Sequence, residues 1–354
     1  MRRLQRFVVV LSSGCLFSCS DAMPSAQQAM QIASSMPAPT LRSMASKLPQ
    51  GTLLVAFGTS RGGVVAYKPP YRTKYVSMLG MMEPRGLALS TTGDLLVADQ
   101  NAGVMLWSPP YRKGTTLFAV AGYGAAALDA KNDLFIADTA GNAGVYELPP
   151  PWTKASLEIN SSYTDYPAAL AIDSRQGLFV DNAGGKNVVY FPPPYKHLSA
   201  VVTNVASSSS PQAIAVDRLD RLFAVNDDEV DVFPAPYNGK GKITISTGIA
   251  GARSLVLDKH GTLFVANAAN TSSGYGSIAV FKPPYGKPSI TIRGSGVNDP
   301  EALAVDDRDD LFVGNHQGGR SAAGFVAMYE PPYTRYTRID AGITAGVNDL
   351  ILSP

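Results

Sequence analysis

Short apolar runs, each bounded by polar residues or glycine, recur along the chain from about residue 50 to its end. A clear example is residues 301–333, EALAVDDRDDLFVGNHQGGRSAAGFVAMYEPPY, where polar turns separate three apolar runs. Runs of this length between Gly, Asp, Asn and Pro are typical of β-strands and turns rather than helices. The pattern predicts a meander of three strands, followed by a fourth strand after Pro331-Pro332-Tyr333.

The second of these runs has seven copies: LLVAF (53–57), LLVAD (95–99), LFIAD (134–138), LFVDN (178–182), LFAVN (222–226), LFVAN (263–267) and LFVGN (311–315). A corner of proline and an aromatic residue follows each copy, at Tyr71, Tyr111, Trp152, Tyr195, Tyr237, Tyr285 and Tyr333. Successive corner aromatics lie 40, 41, 43, 42, 48 and 48 positions apart. A period in the forties with four strands per repeat is characteristic of β-propellers. We therefore predict an all-β, seven-bladed β-propeller with four-stranded blades over residues 50–354, its corner aromatics packing against neighbouring blades.

The two ends of this repeat region complement each other. A first-strand segment precedes six of the seven second strands, but none precedes the copy at residues 53–57. The chain instead ends in LILS (350–353), with no second strand after it. We predict that this C-terminal segment pairs with residues 53–57 and closes the ring, which removes an exposed sheet edge.

The N-terminal residues predict export and an anchor. Residues 1–19 combine Arg2, Arg3 and Arg6 with a mostly apolar stretch too short to span a bilayer, as in a signal peptide. Residues 16–19, LFSC, resemble the lipobox of bacterial lipoproteins, which implies lipidation of Cys19; an ordinary signal peptide cut elsewhere is the alternative. Ser20 follows Cys19 in place of the Asp that usually retains lipoproteins in the inner membrane, which favours localisation to the outer membrane. Residues 20–49 are rich in Ser, Ala, Met, Gln and Pro and predict a flexible tether.

Cysteine usage and charge narrow the possible functions. Both cysteines lie within residues 1–19, which leaves no thiol or disulfide chemistry in the mature domain. Without residues 1–18 the chain has 27 basic and 28 acidic side chains. A near-neutral chain without a basic run is unlike nucleic-acid binders, so we expect no nucleic-acid partner. We expect a monomer that reaches the membrane only through its N-terminal anchor.

Two segments carry a family resemblance. PEALAVDDRDDLFVGN (300–315) and PQAIAVDRLDRLFAVN (211–226) resemble NHL repeats, in which Pro, an apolar strand, Asp, a turn and a second apolar strand follow one another. The resemblance covers residues 51–354 and departs in the third strand, where a Pro-aromatic corner follows. It implies a propeller that binds proteins, nucleic acid or small molecules on one face, with enzymes as a minority. A shared fold does not choose among these functions.

The mouth of the central channel is the first place to look for a site. The residue two positions before the first apolar residue of each inner strand is predicted to face the channel; these residues are Arg85, Gly124, Ala168, Gln212, Arg253, Glu301 and Asn348. Similarity to gluconolactonase-like propellers implies that Glu301 and Asn348 could hold a divalent cation such as calcium. The neighbouring Arg253 and Arg85 oppose a metal and could instead bind a carboxylate or phosphate. Mutual pairing of these charges in a hydrated funnel is the third interpretation.

Other polar residues have structural interpretations. Asp or Asn follows six of the second strands, and Asp follows five of the first strands, where each is predicted to cap its strand by bonding nearby backbone. Residues 58–62, GTSRG, match a nucleophile-elbow pattern but lie in a hairpin loop. The acidic residues 227–231 lack the spacing of a calcium loop. His197, His260 and His316 lie in three different blades without a partner at catalytic spacing.

Two functions follow from these observations. The first is an exported, lipid-anchored propeller that serves as a non-catalytic binding scaffold in the cell envelope, with a protein or a small polar or anionic molecule as its partner. The second is a metal-dependent, lactonase-like hydrolase or lyase that acts at the channel mouth. No complete catalytic set is visible in the sequence, which favours the first function.

Overall fold

The computed structural model describes residues 47–354 except 59–60, 119–121, 140–143, 203–212, 269–274, 317–322 and 340–341. The predicted signal peptide, Cys19 and nearly all of the predicted tether therefore lie outside the described residues, as does Gln212. The described residues form 28 strands in seven four-stranded antiparallel sheets. This confirms the predicted seven-bladed β-propeller. No helix among the described residues is long and apolar enough to cross a membrane.

The blades follow one another along the chain, and each is named here from its inner to its outer strand. Blade 1 contains β28 (Val347–Leu352), β1 (Leu53–Phe57), β2 (Gly62–Tyr67) and β3 (Lys74–Met81). Blade 2 contains β4 (Pro84–Leu89), β5 (Leu95–Asp99), β6 (Gly103–Trp107) and β7 (Gly114–Phe118). Blade 3 contains β8 (Tyr123–Leu128), β9 (Leu134–Asp138), β10 (Val145–Leu148) and β11 (Leu157–Ile159).

The remaining four blades repeat this plan. Blade 4 contains β12 (Pro167–Ile172), β13 (Leu178–Asn182), β14 (Asn187–Phe191) and β15 (Ala200–Val202). Blade 5 contains β16 (Ile214–Val216), β17 (Leu222–Asn226), β18 (Glu229–Phe233) and β19 (Ile243–Ile245). Blade 6 contains β20 (Ala252–Leu257), β21 (Leu263–Asn267), β22 (Ser277–Phe281) and β23 (Ile290–Ile292). Blade 7 contains β24 (Pro300–Val305), β25 (Leu311–Asn315), β26 (Phe325–Tyr329) and β27 (Tyr336–Ile339).

The ring closes through the C-terminal strand. Strand β28 pairs antiparallel with β1, with Leu350 opposite Val55 and Leu352 opposite Leu53. The inner strands contact one another in sequence from β4 to β24, and β28 lies between β24 and β4. This confirms the predicted closure, in which the last strand completes the first blade.

Polar side chains reinforce this closure. The Asn348 amide nitrogen donates to the carbonyl oxygens of Gly58 and Pro84, at 2.8 and 3.0 Å. The Asp349 carboxylate accepts from the backbone nitrogens of Leu87, at 2.9 Å, and Leu350, at 2.8 Å. Burial raises the pKa of Asp349 to about 7, although both backbone N–H groups act in the opposite direction. Strand β28 is thus tied both to its own blade and to blade 2.

The Pro-aromatic corners join each blade to its neighbour. Each corner aromatic donates a side-chain hydrogen bond to a carbonyl in or near the turn before its own blade's second strand, as Tyr195 does to Gln176 and Trp152 to Asn132. Its ring packs on the preceding blade; for example, Tyr195 lies edge-on to Phe135 with ring centroids 4.9 Å apart. The same edge contact joins Tyr285 to Phe223 across blades 6 and 5. The predicted packing of the corner aromatics against a neighbouring blade is confirmed.

The aspartates after the first strands act as predicted. The carboxylates of Asp129, Asp173, Asp217, Asp258 and Asp306 each accept hydrogen bonds from the backbone nitrogens two and four residues later. The polar residues after the second strands act differently. Asn315 accepts from the backbone nitrogen of Asn298, so it holds the loop before its blade's inner strand. Asp99 holds the equivalent loop through Met82 and Glu83, in addition to its own hairpin.

Candidate functional site

The predicted mouth residues lie at β-bulges near the start of the inner strands. In β24, Pro300 pairs with Asn315 and Ala302 with Gly314, which leaves Glu301 as the extra residue between them. The same register shift occurs at Arg85, Ala168, Arg253 and Asn348, and at Gly124 with Ala125. A bulge turns the backbone and redirects a side chain out of the regular pleat, and bulges are common beside binding sites. The sequence spacing therefore identified one equivalent position in each of the six described copies.

Charged residues concentrate where blades 6 and 7 meet. Arg253 lies on the bulge of blade 6, and Asp299 and Glu301 flank the start of the inner strand of blade 7. His316 follows the second strand of blade 7, and its backbone nitrogen donates to the carbonyl oxygen of Asp299 at 3.0 Å. Of these four residues, Arg253 and Glu301 were predicted from sequence spacing. We call Arg253, Asp299, Glu301 and His316 the blade 6–7 cluster.

Asp299 is the most perturbed member of the blade 6–7 cluster. Burial raises the pKa of its carboxyl group, and the negative charge of Glu301 adds to this effect. The positive charges of His316 and Arg253 act in the opposite direction. Perturbed carboxyl groups with identifiable charge partners are frequent at functional sites.

The backbone of Asp299 adds a second unusual feature. Its φ angle is +52°, in the left-handed region, where a side chain other than glycine is disfavoured. The equivalent positions in blades 3 and 6 are Gly122 and Gly251, which also have positive φ. Blade 4 has Tyr166 at this position, with φ +51°. Positive φ is thus a property of this position in several blades, and Asp is one of the residue types that tolerates it.

His316 fills the space between blade 7 and the closing strand. A Cβ atom added to Gly346 would lie 2.4 Å from the His316 Nδ1 atom, so the imidazole packs directly on this glycine. Sequence spacing found no catalytic or metal-binding partner for His316; in the structure its backbone nitrogen donates to the carbonyl oxygen of Asp299 within blade 7. The antiparallel pairing of Pro300 with Asn315 places His316 and Asp299 next to each other.

The other predicted mouth residues have structural contacts. Arg85 forms an ion pair with Glu83, which also accepts from the side-chain amide of Asn101 at 2.7 Å. The amide nitrogen of Asn348 is bonded to two backbone carbonyls of blades 1 and 2. Gly124 and Ala168 carry no polar side chain. Arg253 and Glu301 thus lie in the blade 6–7 cluster, while Arg85 and Asn348 contribute to the junction of blades 1 and 2.

A divalent cation fits the described donors poorly. Within the described ranges, no three His, Cys, Asp or Glu side chains are grouped as metal ligands. The Asn348 nitrogen is engaged, so only its oxygen could join Glu301 in a ligand set. Calcium takes six to eight oxygen ligands, usually with several carboxylates. The acidic residues 227–231 have other contacts, since Asp228 accepts from Gly251 and Asp231 pairs with Lys242 at 2.8 Å.

Solved structures with similar folds define the class as β-propellers. A protein from Lactobacillus plantarum matches at TM-score 0.66 and 13% identity, covering 86% of this chain and 100% of that chain. Virginiamycin B lyase from Staphylococcus aureus matches at TM-score 0.58 and 9% identity, over 72% and 83% of the two chains. Kuenenia stuttgartiensis hydrazine synthase matches at TM-score 0.56 and 15% identity, over 74% and 80%. At these identities the likeness concerns the fold alone. No protein-family profile and no curated protein matches the chain.

Proposed function

We propose that this protein is an exported, lipid-anchored propeller of the bacterial cell envelope that binds a small polar ligand at its channel mouth. The supporting observation is the unequal distribution of charge around the mouth. Blades 6 and 7 place Arg253 and Glu301 on their bulges, while blades 3 and 4 have Gly124 and Ala168. Binding sites are typically a few convergent polar groups on a rigid scaffold, and the blade 6–7 cluster has this form.

The residues of the cluster suggest the chemistry of the ligand. A guanidinium group matches the planar geometry of a carboxylate or phosphate, so Arg253 would bind an anionic group. Glu301 accepts hydrogen bonds, and Asp299 does so when ionised, so they would bind hydroxyl or amino groups on the same molecule. A ligand with one anionic group and neighbouring hydroxyl or amino groups satisfies both kinds of residue. Sugar acids and amino acids belong to this class.

Export and anchoring would come from the N-terminal residues. Residues 1–19 supply the signal peptide, Cys19 the lipidated residue, and residues 20–49 the tether to the ring. The absence of cysteine after residue 19 suits an oxidising compartment without requiring a disulfide. This part of the proposal depends only on sequence.

A ligand screen tests the binding proposal. The chain from Ser20 to Pro354 is titrated with sugar acids and amino acids by isothermal calorimetry, and the tightest binder is measured again with Arg253→Ala and Glu301→Ala. A hydrogen bond to a charged group contributes about 1.5–3 kcal/mol, so each variant is expected to bind about 10- to 150-fold more weakly. Arg61→Ala removes an exposed cation in the loop between β1 and β2 and is the matched control. Unchanged affinity in both cluster variants would contradict the proposal.

The raised pKa of Asp299 supports a second candidate, a hydrolase or lyase acting at the mouth. A carboxyl group that holds its proton at higher pH than usual can serve as a general acid, and His316 lies beside it. Virginiamycin B lyase is among the similar folds. Turnover of lactones or of virginiamycin B by the intact chain, abolished by Asp299→Asn, would favour this function over a binding scaffold.

A further inference from the structure

The seven Pro-aromatic corners share a charge pattern that their structural role does not require. The five residues after each corner aromatic include at least one Lys or Arg and no Asp or Glu, in all seven blades. The exposed cations nearest the corners are Arg72, Lys74, Arg112, Lys113, Lys154, Lys196, Lys240, Lys287 and Arg335. The mature chain as a whole is close to neutral. The corners are therefore a basic ring on a protein with little net charge.

These corners all lie at one end of the propeller, opposite the channel mouth. Each corner aromatic bonds a carbonyl in or near the turn before its blade's second strand, which places the corners and these turns together. We call this end, with its corners and first turns, the corner face. The inner strands begin at the other end, where the blade 6–7 cluster lies. The ring of cations thus surrounds the face turned away from the candidate site.

Most of the capping aspartates on the corner face are directed inward, although Asp307 and Glu330 of blade 7 are exposed. Asp129, Asp173, Asp217 and Asp258 are at least nine-tenths buried, and their carboxylates accept backbone N–H groups. In the part of the chain that the structure describes, none of the corner cations Arg72, Arg112, Lys154, Lys196, Lys287 and Arg335 lies within ion-pair distance of a carboxylate. These six cations are therefore available to an external partner.

The N-terminal segment joins the ring on the same face. The Lys47 ammonium group donates to the carbonyl oxygen of Thr91 at 2.6 Å, in the first turn of blade 2. The side chain of Lys47 also packs against Gly93 of that turn. The 28 residues from Ser20 to Lys47 can span at most about 100 Å. A linker from a membrane anchor at Cys19 would therefore reach the ring on the side of the corner face.

We propose that the corner face docks on an anionic phospholipid surface. Basic residues near such a surface each contribute about 1 kcal/mol, and the attraction falls off within a Debye length of about 8 Å at physiological salt. A ring of cations around one flat end allows several of them to reach the surface together. The docked propeller presents its mouth to the opposite side, where a soluble ligand has free access. This inference does not depend on the identity of the ligand at the mouth.

Vesicle binding tests the proposal. The unlipidated chain from Ser20 is sedimented with phosphatidylcholine vesicles and with vesicles that also contain phosphatidylglycerol, at low and high salt. We expect binding only to the phosphatidylglycerol vesicles, and its loss at high salt. Arg112→Glu combined with Lys196→Glu is expected to weaken binding about 30-fold or more, which is two contributions of about 1 kcal/mol at 1.36 kcal/mol per tenfold.

The matched control reverses two positive charges at the mouth end of the propeller. Arg61→Glu combined with Arg293→Glu also replaces two exposed cations, and both lie at the mouth end of their strands. Retention of binding in this control, with loss in the corner variant, supports the proposal. Equal loss in both variants, binding to neutral vesicles, or no binding by the unmodified chain would overturn it. A DNA duplex bound more tightly than the vesicles would also overturn it. Thermal melting of each variant confirms that the fold is intact.

Discussion

Deletion of residues 347–354 is expected to remove the cooperative unfolding transition of the protein. The deletion takes away β28, whose Val347 and Leu350 are at least 97% buried. Full burial of one such side chain contributes about 1.5–3 kcal/mol, and the strand also supplies its ladder hydrogen bonds to β1. The total is comparable with the whole stability of a domain, about 5–15 kcal/mol. Thermal melting followed by circular dichroism measures the effect.

A shorter deletion is the control for this result. Removal of Pro354 alone deletes an exposed residue outside the strand and is expected to leave the melting temperature unchanged. It retains Ser353, whose backbone and side chain bond Gly51, Thr52 and Pro49 at the start of blade 1. The variant without residues 347–354 could instead melt with the same amplitude and at the same temperature as the unmodified protein. That result would show that the ring does not need its last strand.

Replacement of Asp181 by alanine is expected to stabilise the protein by about 1–3 kcal/mol, the usual cost of an unsatisfied buried polar group. Asp181 is fully buried on β13, and neither carboxylate oxygen has a hydrogen-bond partner among the described residues. Its neighbours across the two adjoining strands are Ala169 and Val188. The equivalent positions in the other blades are Ala56, Ala98, Ala137, Val225, Ala266 and Gly314. An alanine therefore suits this position, and urea unfolding measures the gain.

The gain from Asp181→Ala should increase with pH. Burial raises the pKa of Asp181 well above its ordinary value, so the folded protein retains a proton that the unfolded chain releases. The contribution of Asp181 to the free energy of unfolding is therefore fully present below the unfolded-state pKa of about 3.9. It is lost as pH rises through the raised folded-state pKa. Asp349, whose folded pKa is about 7, also lowers the free energy of unfolding as pH rises, and this effect remains in the Asp181→Ala variant.

The matched control is Asp181→Asn, which removes the ionisation but keeps an unsatisfied polar group. Like Asp181→Ala, it should flatten the pH dependence of the free energy of unfolding. At acidic pH it should be less stable than Asp181→Ala. A stability of Asp181→Ala that equals or falls below that of the unmodified protein near neutral pH would contradict the account. Such a result would mean that the carboxyl group has a stabilising contact.

Repetition made the fold predictable from the sequence. One short strand says little alone, but seven copies of the second strand with seven corners at regular spacing define both the blade and the number of blades. The missing first strand before Leu53 and the unpaired LILS at the end then specify the closure. These signals depend on residue type and spacing, which a sequence contains in full.

The site was less predictable because it depends on contacts between blades. Spacing found Arg253 and Glu301 on equivalent bulges, but it gave no indication that Arg253 of blade 6 lies close enough to Asp299 of blade 7 to affect the pKa of its carboxyl group. Asp299 immediately precedes a Pro and has a left-handed backbone, and comparison with Gly251 at the same position could have singled it out. The buried Asp181 was grouped with the apolar run LFVDN, although the Ala and Gly of other copies mark it as different.

The two proposals assign separate roles to the two ends of the ring. The mouth end carries the blade 6–7 cluster, whereas the corner face distributes cations around its whole circumference. The seven corner aromatics hold the first turns and the neighbouring blades, so the cations beside them are carried on a rigid framework. Binding at the mouth and docking at the corner face can therefore be tested by separate substitutions.

The most direct test of the closed ring is a disulfide across its closure. The chain from Ser20 has no cysteine, so Leu53→Cys with Leu352→Cys introduces one pair at positions that face each other in the β1–β28 register. The account predicts that this pair forms an intramolecular disulfide on mild oxidation, seen as faster migration on a non-reducing gel. Leu53→Cys with Ile351→Cys places the two thiols on opposite faces of the sheet and should stay reduced. Equal oxidation of both pairs, or of neither, would contradict a ring closed by β28.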